Sequence, residues 1–586
     1  MLSALAVAIL SAATAQAPAD SLDLTLEAVG PGSYLASEVL VVADRPERFD
    51  AFAPDAVAAA GPSASRSLAL AAHASAGEYG TSAFPSIRGL PAEHVAVEYD
   101  GIPLNSVQNG TFDIALLDLL GSGISMTRGP FAWLGASGTS PAAVVLEARE
   151  PAGLEMSAFT GSEGGSLHLG MGDARRSMSF TALGGDGPRD GESVAGWSCN
   201  ARAATAAGEL GLTYLDARRG LPGPADAPWW AGVLDDEIAL ARFRFREVGR
   251  TRPTLYATRH EQHYEDAYAA PTHVVSSVGG VLAADVTRDG PVRSLVAAAY
   301  DWSVLDSHDP MTTDIGHRTR GSGSVVARAT AGQRALRAAA QCGLTHTTDF
   351  GAAASGALGL AAVGPRGRAW ASVGTTYRAP TMNELHWPAD AWTEGNADLE
   401  PERVVTAELG GAVVLGPVTL GATAYRSRAV DLIVWMDSGG VWRPENVGTA
   451  VLEGIEADVS ARFGGLGISY AGDFASAWDE ESGLDLPYRP RLQHTLSADA
   501  TVGRTRVEAR ARRAGEMYVD AANSEALDGY TVADASVTLG LPVEGVSAVV
   551  EVSNLFDESY ATRKGYELSG RAWRAALLIT TQLQNP

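Results

Sequence analysis

The chain has 586 residues, with 69 Asp and Glu against 44 Lys and Arg, and a formal net charge of −25. This acidic balance excludes nucleic acid as the main partner, because phosphate recognition requires a net basic surface. A chain of this length forms several domains or one large barrel, since single hydrophobic cores stop growing at about 250–300 residues.

The first residues have the pattern of an export signal. An uncharged apolar stretch covers residues 2–15 and ends in small-x-small steps at residues 13–15 and 15–17. Pro18 and an acidic stretch follow directly, which favours a cleaved signal over a buried helix. We predict a signal peptide over residues 1–17 and an N-terminal extension over residues 18–37. No later segment has 18 uninterrupted apolar residues, so the exported chain is either secreted or inserted as a barrel.

Residues 38–150 are predicted to form a small domain of their own. Two segments, 86–90 (SIRGL) and 124–130 (ISMTRGP), each place an arginine beside a glycine at the end of an apolar strand. Between them, residues 95–103 (VAVEYDGIP) read as a strand followed by a tight turn. A compact unit of this kind before a long β-rich remainder is what a plug inside a barrel requires.

Residues 151–586 alternate with a period of two. Charged side chains occupy one parity of residues 504–512 and small or apolar ones the other; residues 239–246 and 573–584 follow the same rule. Alternate side chains of a strand face opposite sides, so each of these strands has one apolar and one polar face. Repetition over more than 400 residues favours a transmembrane barrel, apolar towards lipid and polar towards the lumen.

The connections between these segments alternate in length. Residues 416–417 and 541–545 are tight turns, whereas residues 216–237, 304–318, 377–400 and 475–490 are predicted to be long loops. Short turns at one edge and long loops at the other are typical of outer-membrane barrels. We therefore predict an all-β membrane protein, a large antiparallel barrel with an α+β plug in its lumen.

Cys199 and Cys342 are the only cysteines, which excludes a structural zinc site or a disulfide scaffold. The spacing leaves open one long-range disulfide, although two unpaired side chains are favoured. His260 and His263 leave a metal site open, but an exposed extracellular loop is the favoured interpretation. No nucleophile triad, phosphate loop or paired-carboxylate site stands out, so the sequence predicts no enzyme and no cofactor.

These motifs, in this order, resemble the TonB-dependent outer-membrane receptors over nearly the whole chain. The plug motifs of that family match residues 87–89 (IRG), 100–104 (DGIPL) and 128–130 (RGP). The barrel motifs match residues 377–385 (YRAPTMNEL), 395–402 (GNADLEPE), 453–456 (EGIE) and 554–557 (NLFD) with Tyr560. Two departures are the non-aromatic end at residues 582–586 (QLQNP), and residues 134–135 and 141–143, which replace the YG and GG steps of the family.

The resemblance implies a transmembrane barrel of 22 strands and a receptor that imports a scarce ligand with energy from the inner-membrane TonB complex. Its TonB contact segment, the Ton box, best matches Glu38, Val39, Leu40, Val41 and Val42. An extended apolar segment suits edge-to-edge pairing with a partner strand. The alternative is that these residues form the first strand of the plug, and both interpretations remain open.

The resemblance also implies a charge lock between plug and barrel, formed by Arg88, Arg128, Glu402 and Glu456. The parity of the two glutamates agrees, because each shares the polar side of its strand and would point into the lumen.

Ligand contacts are expected from outward-facing plug loops and from barrel loops that are rich in aromatic and amide side chains: Tyr79, Phe84, Asn105, Gln108, Asn109, Phe112, Trp229, Trp230, His386, Trp387 and Trp392. Such side chains suit a large polar organic ligand better than a bare ion. The resemblance implies cobalamin or a ferric siderophore.

The expected partners are TonB, a corrinoid or ferric chelate and outer-membrane lipid, with the protein a monomer in the outer membrane of a Gram-negative-type (diderm) bacterium. The alternatives are a passive outer-membrane porin and a secreted β-rich adhesin or binding protein. The plug segment argues against the porin, and the arginine-rich alternating strands argue against the secreted protein.

Overall fold

The structure is a computed structural model that describes residues 39–41, 55–58, 74–79, 81–120, 123–132, 140–147, 151, 153–225, 231–287, 292–312, 314–333, 335–390, 393–437 and 441–582. The predicted signal peptide, the N-terminal extension and the last four residues lie outside these ranges. No helix among the described residues is both long and apolar enough to cross a membrane.

The N-terminal part forms a small mixed sheet with short helical turns. Its strand order is β1-β2-β7-β8-β5-β6, with β5 parallel to β8, while β3 and β4 form a separate hairpin. The elements are β1 Val39–Val41, β2 Asp55–Ala58, β3 Ala74–Tyr79, β4 Ser82–Ile87, a 3₁₀ turn Ala92–His94, β5 Val95–Tyr99, β6 Ile102–Pro103, a 3₁₀ turn Ile114–Leu116, α1 Leu117–Leu120, β7 Gly123–Arg128 and β8 Ala142–Glu147.

The remaining strands close into an antiparallel barrel whose last strand pairs with its first. Twenty-two of the described strands form this wall, namely all those below except β28, β29, β32 and β33, which lie in its loops. The elements are β9 Gly153–Gly161, β10 Gly164–Gly172, β11 Arg176–Asp186, β12 Ser193–Ala204, β13 Gly208–Pro222, β14 Ala231–Phe245, β15 Thr251–Glu265, β16 Thr272–Thr287, β17 Val292–His308, β18 Gly316–Gln333, β19 Leu336–Thr347, β20 Gly351–Gly364, β21 Gly367–Arg378, α2 Met382–His386, β22 Glu402–Leu415, β23 Val418–Asp437, β24 Trp442–Phe463, β25 Leu466–Asp479, β26 Leu492–Val502, β27 Thr505–Ala514, β28 Met517–Tyr518, β29 Ala526–Leu527, β30 Tyr530–Gly540, β31 Val546–Ser553, β32 Ala561–Arg563, β33 Tyr566–Glu567 and β34 Ala572–Gln582.

The two faces of the wall differ as the alternation predicts. In β27 the Glu508 side chain is buried inside the barrel, whereas Val507 is 47% exposed on the outside. In β34 Trp573 and Leu577 are exposed in the same way. An outer face of this kind is stable only against lipid. The predicted fold class is therefore confirmed.

The connections differ in length at the two edges. One edge has two-residue turns such as 365–366, 416–417, 464–465 and 503–504, and the other has the long connections 379–401, 480–491, 515–529 and 554–571. The predicted loops over residues 216–237 and 304–318 are too wide, because β13 and β14, and likewise β17 and β18, remain paired well into those ranges. The ends of these strands are polar on both faces, so the alternation of side chains does not mark them as strand. Backbone hydrogen bonding nevertheless continues through them.

The plug sits inside the barrel and shares its core with one side of the wall. The largest buried cluster joins plug residues such as Val95, Ile114 and Met126 to Leu215 and Tyr256 of the wall. Several buried ion pairs also cross between plug and wall. The plug is therefore held by apolar packing and by buried charge contacts, and two of these ion pairs lie on the same strands, β13 and β14, as part of the apolar cluster.

Candidate functional site

The turn that follows β4 aims a plug arginine at the wall. Arg88 and Gly89 both have left-handed backbones, with φ of 53° and 75°, a conformation that glycine adopts at little cost and arginine does not. The strained turn places the Arg88 guanidinium against Glu456 of β24. Its Nε and Nη2 donate to the two carboxylate oxygens, each at 2.8 Å.

Two further groups complete this contact, which we call the first latch (Arg88, Arg128, Glu408 and Glu456). Arg88 Nη1 donates to Glu408 at 3.0 Å, and Arg128 Nε donates to Glu456 at 3.1 Å. The Arg88 guanidinium also lies 4.5 Å from the ring centre of Tyr425. Burial alone would lower the pKa of Arg88, but pairing with Glu456 and Glu408 outweighs it and raises the pKa above its usual value. Arg88 is therefore charged at any physiological pH.

Glu402 is not part of the first latch, which corrects the sequence-based expectation. It receives two 2.7 Å hydrogen bonds from Arg378 and lies 2.5 Å from Nε2 of His94, a buried plug residue. Glu402 begins β22, and Glu408 lies six residues further along on the same face. At about 3.3 Å per residue these positions are roughly 20 Å apart. Parity identified the correct face of the strand but not the correct height.

A second latch, which the sequence did not reveal, joins the plug to β13 and β14. Arg219 is 1% exposed and donates to Asp113 of the plug and to Asp236 of the neighbouring strand. Asp236 also lies 2.9 Å from Nε2 of His260. The other Asp113 oxygen accepts the Ala83 amide at 2.9 Å, so this carboxylate ties plug backbone to the barrel wall.

The DG motif forms a further contact between plug and wall. Asp100 has a φ of 51°, and its carbonyl accepts Arg242 Nη1 at 3.0 Å while its carboxylate pairs with the same guanidinium. Arg242 in turn donates to Glu209 at 2.7 Å. The motif was recognised in the sequence, but the role of its aspartate was not, because the partner lies about 140 residues away.

The barrel motif over residues 377–385 has a structural role at the apex of the plug. Thr381 caps α2, and Glu384 closes the capping box by accepting the Thr381 amide at 2.6 Å. The amides of Met382 and Asn383 donate to the plug carbonyls of Val107 and Gln108 at 3.0 and 2.8 Å. The long loop after β21 is thereby pinned to the plug.

A cavity of about 340 Å³ lies between the plug apex and the wall, at the edge that carries the long loops. Four residues expected to contact ligand line it: Phe84, Gln108, Asn109 and Phe112. The sequence did not identify the wall side chains that face them, including His260, Gln262, Tyr264, His273 and Tyr566. These lie on paired strands or in a distant loop, so no local motif marks them.

Other expected ligand contacts lie elsewhere. Asn105 is held inside the plug, where its amide accepts the Val97 N–H at 2.6 Å and donates to the carbonyls of Val95 and Gly110. Trp387 packs against buried residues beside the plug, and its indole donates to Thr393 at 3.1 Å. His386 is partly buried in α2, where burial and nearby Arg318 and Arg320 lower its pKa.

The remaining expected contacts and the Ton box fall partly or wholly outside what the structure describes. Trp229, Trp230 and Trp392 lie outside the described residues, as do Glu38 and Val42. Tyr79 belongs to β3, but its side chain is not described. The residues between Glu38 and Val42 form β1, an edge strand that pairs with β2. This is the alternative that the sequence left open, a first plug strand.

His260 and His263 do not form a metal site. Both belong to β15, not to a loop, and their odd spacing directs them to opposite faces. Among the described residues no group of three or more His, Cys, Asp or Glu side chains is arranged to hold a metal ion. Cys199 and Cys342 are both free and exposed on the outer face of different strands.

Comparisons with known proteins agree with this architecture. The family described as TonB dependent receptor-like, beta-barrel matches residues 167–555. The vitamin B12 transporter BtuB of Vibrio vulnificus (strain YJ016) is 30% identical over 214 residues, or 35% of this chain and 34% of that protein. The BtuB of Photobacterium profundum is 29% identical over a span of the same length. The chain thus aligns with about a third of the length of these relatives.

Solved structures resemble the chain over almost its full length. A mutant of the ferric enterobactin receptor PfeA from Pseudomonas aeruginosa has a TM-score of 0.73 at 17% identity, covering 88% of this chain and 96% of that one. The siderophore receptor PirA from Acinetobacter baumannii has a TM-score of 0.71 at 15% identity, covering 89% and 96%. At such identities the likeness shows the fold alone. With the family match over most of the barrel, it follows that the chain belongs to the TonB-dependent receptors and that its barrel spans the outer membrane of a Gram-negative bacterium.

Proposed function

We propose that the chain binds a scarce extracellular ligand and imports it with energy transmitted by TonB. The observation that carries this proposal is a closed barrel whose lumen is filled by its own N-terminal domain, held by buried ion pairs. Passage requires that these pairs break, and breaking buried pairs needs an external source of energy. A passive porin has no such requirement, and a secreted adhesin has no use for an apolar outer face.

The ligand we propose is a corrinoid or a ferric siderophore. The named functions of the relatives support it, and so does a cavity lined by amide, hydroxyl and aromatic side chains. A cavity of about 340 Å³ is near the lower end of the usual range for ligand sites. A corrinoid would therefore be seated with only one side inside it. We assign the chain no enzymatic activity and no cofactor, and we expect a monomer.

TonB is proposed to engage the segment Glu38, Val39, Leu40, Val41 and Val42. Its central residues form β1, whose second edge has no neighbour in the described sheet. An unpaired strand edge binds a partner strand through main-chain hydrogen bonds. Pulling on β1 transmits force to β2 and then to β7, the strand that ends at Arg128 of the first latch.

Uptake measurements test this function. In a deletion strain that expresses the chain, labelled corrinoid and ferric siderophores should accumulate only when TonB and the proton-motive force are intact. Leu40→Pro should abolish uptake and leave surface binding intact, because proline removes a backbone donor and disfavours strand pairing. Leu40→Ile is the matched control and should retain uptake. Accumulation that persists without TonB would instead indicate a passive pore.

A further inference from the structure

The cavity at the plug apex is polar, but none of the described residues that line it is a lysine or an arginine. Its polar groups are amides, hydroxyls and imidazoles, together with Asp113. A site that binds a polyanion normally presents arginine or lysine, because these supply charge-assisted hydrogen bonds.

The nearest arginine below the cavity is already shared by two carboxylates. Arg219 pairs with both Asp113 and Asp236 through its two terminal nitrogens, and all three side chains are almost fully buried. One guanidinium between two carboxylates leaves these three side chains with a net negative formal charge. Gln262 Nε2 also donates to Asp236, at 3.1 Å. These side chains therefore repel an anionic group, and the hydrogen-bond donors of Arg219 and Gln262 are directed at the two carboxylates.

The nearest arginine at the side of the cavity is also engaged in contacts within the protein. Arg189 lies 5.3 Å from the ring centre of Tyr566, a cavity residue. Its guanidinium donates to the carbonyls of Gly223 and Gly565 and lies 3.6 Å from Glu192. Arg189 fastens two outer loops to each other, and freeing it for a ligand would undo that contact.

Several basic side chains of the outer loops are likewise held by carboxylates. The pairs are Arg320 with Asp349, Arg378 with Glu384 and Glu402, Arg443 with Glu394, Arg491 with Asp485, and Lys564 with Glu525. The chain as a whole carries a formal charge of −25. A polyanion would therefore approach an acidic protein, in which several of the outer cations are already paired with carboxylates.

We propose that this cavity selects an uncharged or cationic organic ligand and rejects polyanionic ones. The proposal rests on the receptor function and narrows its ligand class. A neutral corrinoid or a ferric tris(hydroxamate) chelate meets the condition, and a ferric tris(catecholate) chelate, a polyanion, does not. The carbonyls and amides of a neutral ligand find complementary groups in Gln108, Asn109 and His273, and its apolar parts meet Phe84 and Tyr264.

The test compares two ferric chelates of similar size that differ in charge. The purified full chain in detergent micelles is titrated with ferric tris(hydroxamate) and with ferric tris(catecholate), and binding is followed by quenching of tryptophan fluorescence. We expect the hydroxamate to bind at least about tenfold more tightly, since like charges repel strongly in a partly enclosed site. Cyanocobalamin, a corrinoid without net charge, serves as a second neutral probe.

A variant pair tests the electrostatic cause directly. Asn109→Lys introduces one cation into the cavity and should shift the preference towards the catecholate. Ala521→Lys adds the same charge to an exposed loop residue that does not line the cavity, and it should leave the preference unchanged. Equal or tighter binding of the catecholate by the unmodified chain would overturn the proposal, and so would binding of no neutral probe. These binding measurements need no TonB. The charge preference can therefore be refuted while TonB-dependent uptake in cells is confirmed. Conversely, uptake can be found to be independent of TonB whichever chelate binds more tightly.

Discussion

Removal of Arg88 should loosen the plug more than removal of any exposed arginine. Its guanidinium makes three hydrogen bonds of 2.8–3.0 Å to Glu456 and Glu408, whose side chains are only 1% and 10% exposed. In Arg88→Ala, Glu456 keeps its contact with Arg128 and Glu408 keeps its hydrogen bond from Ser372, but both carboxylates lose the Arg88 guanidinium. Breaking a buried pair in this way costs about 3–5 kcal/mol. The population with a displaced plug should then rise by between about a hundredfold and a few thousandfold.

Two measurements check this expectation: ion conductance of the purified protein in planar lipid bilayers, and its thermal unfolding in detergent. Arg428→Ala is the matched control, because its pair with Glu480 is about half exposed and such pairs contribute about 0–1 kcal/mol. Arg88→Met combined with Glu456→Gln should recover part of the loss, since charge and partner are removed together. Conductance and unfolding of Arg88→Ala that match those of the control would refute the latch.

Three further outcomes are expected. Gly129→Ala should destabilise the protein more than Gly503→Ala, and thermal unfolding of the two variants measures the difference. Both glycines have positive φ, but only at Gly129 would the new Cβ lie 2.5 Å from a wall carboxylate oxygen. Asp113→Asn should raise bilayer conductance, whereas Asp235→Asn, whose arginine pair is exposed, should not; equal conductance would contradict a second latch. A spin label at Cys199, with the other cysteine replaced by serine, should be more accessible to oxygen than to a water-soluble relaxation agent in liposomes. The reason is that the Cys199 side chain faces outward, towards lipid. The opposite order of accessibility would contradict the orientation of the wall.

The latches show how far a single strand can be interpreted. Parity placed Glu402 and Glu456 on the inner face of the wall, and both are there, buried to 1% exposure. Of these two glutamates, only Glu456 contacts the plug arginines. The second carboxylate at Arg88 is Glu408, in the place that the sequence analysis assigned to Glu402. A period of two shows which face of the wall a side chain lies on, but it does not show its position along the barrel axis. That position depends on the stagger of all the strands and on the docking of the plug.

The cavity shows the same limit for ligand contacts. Plug-loop residues such as Gln108 and Asn109 were identified because amides cluster in one short segment. Asn105 belongs to the same cluster, yet it holds plug backbone together. Wall residues such as His260 and His273 come from separate strands, and only their pairing brings them to one place.

The sequence by itself determined the class of the molecule, because face alternation, turn spacing and the ordered motifs are local patterns that repeat along the chain. It also determined that two plug arginines lie beside glycines at the ends of apolar strands. The tertiary structure decided which carboxylates those arginines meet, which acids of the plug face arginines of the wall, and which side chains surround the cavity. Such contacts join residues 100 to 400 positions apart, and they arise only when the barrel closes around the plug.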